Sequence, residues 1–239
     1  MVQKRHPVQH PDYHYTAVAK NPYSLKLKEF SNTAYADDAT EAFRGQWRDQ
    51  FKSPLDSKRP LHVEIGCNGG HVILEWAKRD SSAAYIGLDW KFKQIYRGAE
   101  KAQKRGIANL IFLRGYAERV SFIFGAGEID HLYLFFPDPW AKKSQLKNRY
   151  ITAESLRMLS TLVKIGGIFH IKTDHAGYFE WIEAAIAEVP ELWTIKSRTT
   201  DLHAGNLNPN QLQIPEVTLF EKIFIREGIK ICSVHLERR

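Results

Sequence analysis

Cysteine is scarce, with only Cys67 and Cys232 in 239 residues. They stand far apart, so no disulfide framework is expected and reduced, cytosolic thiols are the default. The ten histidines form no His-Glu-x-x-His motif and no paired Cys/His spacing. A metal site is therefore not expected. No apolar run approaches the length of a membrane span, and no secretory signal opens the chain. Both absences point to a soluble, cytoplasmic protein. No internal repeat is present, and the dinucleotide fingerprint G-x-G-x-x-G is missing.

What is present is enough for a real core: 44% of the residues are hydrophobic. The length suits one full-sized domain behind an N-terminal extension, with 1–58 as extension and 59–239 as domain. The formal net charge of +7 favours a polyanionic partner. Residues 1–30 carry Lys4, Arg5, Lys20, Lys26 and Lys28 against Asp12 and Glu29. They lack periodicity and read as a loosely attached arm, either disordered or following a nucleic-acid backbone. Residues 38–51 read as a helix with Ala42, Phe43 and Trp47 facing inward.

From Leu61 onward, strands alternate with helices, the pattern of an α/β domain. Strands are expected over 61–66, 83–89, 109–115, 132–136, 166–174, 193–200 and 229–236. Helices are expected over 71–78, 91–105, 150–163 and 177–187, with a short one behind Pro215. The polar stretch 201–215 reads as a loop. The first strand runs into Gly66-Cys67-Asn68-Gly69-Gly70 and then a helix, as in nucleotide-binding domains. Asn68 sits where a further glycine would be usual. Asn tolerates the left-handed region best among the other residues, so the turn survives.

Two acids decide what such a loop would hold. Asp89 ends the second strand, where a carboxylate accepts ribose hydroxyls of an adenosine ligand. Glu64 sits just before the loop. It would repel the pyrophosphate of NAD and suit the cationic amino-acid end of S-adenosylmethionine, which is the preferred ligand. Asp89 as a helix cap and Glu64 as a salt-bridged strand residue are the plainer alternatives. Tyr116-Ala117 follows the third strand, where an adenine would lie. His170 reads as a packed core histidine.

The most informative stretch is Ile129 to Arg149. An apolar run, Leu132-Tyr133-Leu134-Phe135-Phe136, ends at Pro137-Asp138-Pro139-Trp140. The prolines stop both helix and ladder, fixing a carboxylate and an indole on a stiff loop at a strand's carboxyl end. Lys142, Lys143, Lys147 and Arg149 follow. An acid, a stacking surface and a basic tail suit a base held beside its phosphates, whereas a turn before a solvated helix is the bland alternative. Trp140 serves equally as a loop anchor.

With these residues in view, the chain resembles the bacterial tRNA (guanine-N7)-methyltransferases, over about residues 61–239. The resemblance rests on VEIG (63–66), IGLD (86–89), LFFPDPWAKK (134–143), GGIFHIKTD (166–174) and TLFE (218–221). It implies a class I S-adenosylmethionine-dependent fold, Rossmann-like, with seven mostly parallel strands, an antiparallel last strand and helices on both faces. It implies methyl transfer to N7 of the variable-loop guanine (m7G46) of tRNA, with S-adenosylhomocysteine as product. Cofactor contacts are implied at Glu64, Gly66, Asn68, Gly70, Asp89, Tyr116, Ala117 and Asp138. Asp138 takes the catalytic position, and Lys142, Asp174, Thr218, Leu219, Phe220 and Glu221 the substrate positions. The partner implied is tRNA, without metal or membrane; the sequence leaves the oligomeric state open, with a monomer slightly favoured. The chain departs from the family pattern at Asn68, at Tyr116, where Asp or Asn is usual, and at Leu219, where Lys is usual. A binding protein with little turnover, or methylation of another base nitrogen, are the competing functions.

Overall fold

Each apolar run read above as a strand forms one, and the acids that end those runs share an edge within their own part of the fold. The computed structural model describes residues 8–15, 21–51, 59–204 and 217–239. By internal contacts the chain divides into two compact units, Met1–Gly125 and Ala126–Arg239.

The first unit contains α1 (Pro22–Lys26), β1 (Ala34–Ala36), β2 (Leu61–Ile65), α2 (His71–Arg79), β3 (Ala84–Asp89), α3 (Phe92–Lys104), β4 (Leu110–Arg114) and α4 (Val120–Ile123). Its strands run in the order β1-β4-β3-β2 and pair in parallel throughout. Parallel strands need crossover helices that cover the sheet, so β2, β3 and β4 are almost wholly buried. Phe112 on β4 is the pivot of the packing. A Cβ on Gly70, Gly87 or Gly98 would come within 2.7, 3.1 or 2.6 Å of its ring. The three glycines thus make room for one large side chain, at the density expected of a core.

Two expectations are corrected in this unit. Residues 38–51 are not one helix but two 3₁₀ turns, Asp37–Glu41 and Trp47–Gln50, separated by Gly45 at φ +78°. Trp47 is buried as expected, because its indole N–H donates to the Ile123 carbonyl at 2.8 Å, but Ala42 is exposed. Second, the described residues form eight strands, not seven. The extra one, β1, comes from the stretch read as extension and pairs with the open side of β4. Leu27 and Phe30 are buried as well, so the described residues 21–51 pack as part of this unit. Lys4, Arg5 and Lys20 lie outside the described residues.

The second unit contains β5 (Ile129–Phe135), α5 (Ala153–Leu162), β6 (Val163–Thr173), α6 (Ala176–Ala187), β7 (Trp193–Thr199), α7 (Leu219–Arg226) and β8 (Cys232–Arg238). Its order is β5-β6-β8-β7. β5 and β6 are parallel, and β8 is antiparallel to β6 and to β7, as expected for the last strand. α5 starts at a capping box, Thr152 with Ser155, and buries Leu156 and Leu159. Gly228, at φ +69°, follows α7. Most of the polar stretch 201–215, including Pro215, lies outside the described residues.

Candidate active site

In the first unit the carboxyl ends of β2, β3 and β4 lie side by side. The loop after β2 holds Gly66, Asn68 and Gly70 at φ +77°, +51° and +71°. Asn68 therefore takes the left-handed conformation its residue type allows. The loop is tied to β3: the Gly66 and Cys67 N–H groups both donate to the Leu88 carbonyl, at 2.8 and 3.0 Å. The two flanking glycines differ in what demands them. Gly70 is buried against Phe112, whereas Gly66 is exposed and a Cβ there would meet nothing within 4 Å. Gly66 thus leaves the mouth of the loop open, and Gly70 is dictated by the core.

Asp89, half-buried, accepts the Asn68 N–H on Oδ2 at 3.1 Å and the Lys91 N–H on Oδ1 at 2.8 Å. Burial raises its pKa, while these backbone donors work against the rise. Each carboxylate oxygen keeps a second acceptor site. Asp89 is thus a turn residue and also a group able to take ribose hydroxyls. Glu64 is buried on β2. Burial pushes the Cys67 thiol well up, and the Glu64 and Asp89 charges push it further, so Cys67 is an inert core thiol.

Past β4, Tyr116 is half-buried and stacks on Tyr15, with centroids 5.4 Å apart and planes 3° apart. Tyr13 meets it edge-on at 6.4 Å. The Arg114 guanidinium lies 5.2 Å from the Tyr116 ring and pairs with Asp37. Arg119 donates to the Val8 and His10 carbonyls and forms a two-pronged pair with Glu41. Residues 8–15 are therefore seated on the end of β4 beside Tyr116 and Ala117. Sequence reasoning missed this seat, because isolated tyrosines in an aperiodic segment carry no spacing signal.

The second unit holds the proline loop. Phe136 and Trp140, flanking Pro137-Asp138-Pro139, both adopt left-handed backbone, at φ +53° and +42°. Bulky residues are rare there, and such strain persists only where surrounding structure enforces it. The enforcing contacts are visible: the Phe136 N–H donates to the Lys172 carbonyl at 2.8 Å, and Arg149 Nε donates to the Pro139 carbonyl at 2.9 Å. Asp138 is exposed at the tip, and Trp140 is half-buried.

The four cations expected to trail the loop divide. Lys142, Lys143 and Lys147 are exposed. Arg149 is buried, its guanidinium over the Tyr178 and Trp181 rings at 4.9 and 5.0 Å. It anchors the loop instead of meeting solvent. Asp174 is half-buried just after β6. His170 is a packed core residue, 2.8 Å from Ser233 Oγ, and burial takes its pKa well below the usual value.

The segment 218–221 splits by direction. Thr218 and Glu221 form a capping box and are buried, whereas Leu219 and Phe220 are exposed. Glu221 also pairs with Lys172 at 3.1 and 3.2 Å and with His203 at 2.9 Å. Its carboxylate is engaged by Lys172, His203 and the Thr218 N–H, and so positions α7. Lys172, a lysine inside an apolar strand, is the signal that the sequence carries for this pair. Among the described residues no group of His, Cys, Asp and Glu could hold a metal ion, and no helix is long and apolar enough to cross a membrane.

Residues 58–233 match a protein-family model described as "Putative methyltransferase". The tRNA (guanine-N(7)-)-methyltransferase of Bdellovibrio bacteriovorus is 35% identical over 211 residues, covering 88% of this chain and 97% of that protein. The chain belongs to the tRNA (guanine-N7)-methyltransferase family. The enzyme of the same name from Bacillus cytotoxicus is 30% identical over 219 residues, covering 91% of this chain and 95% of the other. Among solved structures, the 16S rRNA methyltransferase KamB is similar in fold, with a TM-score of 0.56 at 16% identity, covering 81% of this chain and 93% of that one. The family's fold is the class I S-adenosylmethionine-dependent one, and the parallel strands with an antiparallel last strand accord with it.

Proposed function

We propose that this protein transfers a methyl group from S-adenosylmethionine to N7 of the variable-loop guanine of tRNA, working in the cytoplasm. The observation that carries the reading is Asp138: an exposed carboxylate on a strained loop at the end of β5, pinned from beneath by Arg149, in a chain of this family.

The first unit offers residues that fit the cofactor. Gly66 leaves open space at the loop, Asp89 has acceptor capacity for ribose hydroxyls, and Glu64 supplies negative charge for the amino-acid end. On this reading Tyr116 and Ala117 meet the adenine, with a phenol ring in place of the usual acceptor. When bound, S-adenosylmethionine supplies an electrophilic methyl group.

Guanine N7 carries an in-plane lone pair, so no proton need leave before attack. The protein's task is then alignment of N7 with the methyl group. Asp138 is proposed to accept hydrogen bonds from guanine N1–H and the 2-amino group. Its charge also favours the cationic ring that N7 methylation creates. It acts by position and charge, and no proton transfer to it is required. On this reading Lys142, with Lys143 and Lys147, meets backbone phosphates, and Asp174 helps fix the base. Because the guanine sits in folded RNA, some unstacking accompanies binding.

The test is nucleoside analysis of unmodified tRNA after incubation with protein and S-adenosylmethionine. 7-Methylguanosine is the expected product. A different methylated nucleoside would move the reaction to another nitrogen, and none would leave a binding protein.

A further inference from the structure

α7 is turned inside out. A surface helix ordinarily buries its apolar side chains and exposes its charges. Here the one buried side chain is Glu221, at 1% exposure, while Leu219, Phe220, Ile223 and Ile225 are exposed, Phe220 by half. The helix is held by polar contacts at its start. The Glu221 carboxylate takes the Lys172 ammonium, the Thr218 N–H and the His203 ring, and Thr218 Oγ1 accepts the Glu221 N–H at 2.9 Å. With the anchor made of charge, the apolar side is left outward.

The outward side joins the proline loop through aromatic rings. Phe136, in its left-handed conformation, lies 5.4 Å from Phe224 and 6.5 Å from Phe220, and the last two are nearly parallel, 6.3 Å apart at 20°. Lys172 serves both partners, since its carbonyl holds the Phe136 N–H and its ammonium holds Glu221. Phe136 is two residues from Asp138. The strained backbone of Phe136 therefore sets a three-ring surface beside the catalytic position.

We propose that Phe136, Phe220 and Phe224 form a stacking platform for an unpaired nucleobase of the RNA substrate, next to the guanine that Asp138 holds. The proposal rests on the function given above and adds a second base site to it. Charge complementarity favours RNA as the occupant. Lys222 and Arg226 are exposed on the same helix, and Lys142, Lys143 and Lys147 follow Asp138 in the loop. Aromatic faces interleaved with cations are how proteins hold single-stranded nucleic acid, rings taking bases and cations taking phosphates. A guanine drawn out of its stack leaves a neighbour without a partner, and the platform supplies one.

The test uses an unmodified tRNA transcript with 2-aminopurine beside the target guanine, bound to the native protein, Phe220→Ala and Phe224→Ala. S-adenosylhomocysteine calorimetry and salt dependence run in parallel. Each variant should lose roughly tenfold or more in tRNA affinity, as for removal of one base–aromatic stack. The 2-aminopurine fluorescence change on binding should vanish, while S-adenosylhomocysteine affinity and the salt slope stay native. If Phe224→Ala melts early, Phe220→Leu keeps apolar bulk at a half-exposed position and carries the same expectation. Native tRNA affinity and signal in Phe220→Ala would overturn the platform. So would a dimer of the native protein that Ile223→Ser dissociates with tRNA affinity unchanged, since the face would then belong to a second copy. Native protein that binds tRNA without methylating N7 would overturn the function, and the affinity ratios would still decide the platform.

Discussion

Arg149 donates a hydrogen bond from Nε to the carbonyl oxygen of Pro139 at 2.9 Å, so the residue after Asp138 is tied to a buried cation ten positions along the chain. The same guanidinium lies over Tyr178 and Trp181. A planar fork that both stacks and donates cannot be replaced by a point charge. Arg149→Lys and Arg149→Ala should each lose about 1.5–3 kcal/mol of stability, the range for a hydrogen bond to a charged group. Both should lower single-turnover methylation while leaving S-adenosylhomocysteine affinity unchanged. Urea unfolding beside calorimetry checks this. Native turnover in a folded Arg149→Ala would show that the loop needs no tether.

Asp138→Asn tests the carboxylate itself. The amide keeps one acceptor but supplies no charge, and it presents donors to guanine donors. kcat/KM should fall by about two to three orders of magnitude, as for loss of one preorganised electrostatic contact. The thermal melt should hold, because Asp138 is exposed. A near-native rate would remove the carboxylate from the mechanism, and a collapsed melt would make it a structural turn residue.

Glu64→Ala and Asp89→Ala should weaken S-adenosylmethionine binding by about 1.5–3 kcal/mol each, the worth of a charged hydrogen bond. Asp89 also holds the Asn68 and Lys91 N–H groups, so its variant should lose stability as well, visible in the melt. Unchanged affinity in both variants, or tight NAD binding by the native protein, would defeat the cofactor assignment.

Much of this was legible in the sequence, for identifiable reasons. Strands buried on both faces read as continuous apolar runs, and proline or an acid marks the carboxyl end of a run. The places of Asp89, Asp138 and Asp174 at or just past strand ends are legible that way. β1 was not, because three residues are too few to show a period of two. The 38–51 stretch read as helix because Ala42, Phe43 and Trp47 fall at helical spacing, while Gly45 breaks the run. Arg149 read as one of four cations in a basic tail beside phosphates because charge alone gives no direction. Tyr178 and Trp181, far along the chain, and the Pro139 carbonyl turn it inward. Leu219 and Phe220 were grouped with Thr218 and Glu221 as one motif, and the capping box separates them.

Two histidines give the protein a pH dependence. The His170 and His235 rings lie 3.7 Å apart. Burial first and Lys172 second bring His235 down to about 4, and burial takes His170 well below its usual value. The unfolded chain binds these protons near pH ~6.5 and the folded chain does not, so the unfolded state holds more protons in the window between. Stability present above pH ~6.5 should therefore be lost as pH falls toward about 4, by at most about 3 kcal/mol from His235. His235→Gln should flatten that slope in urea titrations at pH 7, 6 and 5. An unchanged slope would show that His235 is protonated in the fold.

Transfer to N7 of one tRNA guanine is tested most directly by strand scission. N7 methylation makes the guanosine labile to borohydride reduction and aniline cleavage. An end-labelled, unmodified tRNA treated with the native protein and S-adenosylmethionine should break at a single position, the variable-loop guanine, and Asp138→Asn should abolish the band at matched times. Uncut tRNA that has nonetheless taken up labelled methyl, or cleavage elsewhere, would contradict the account.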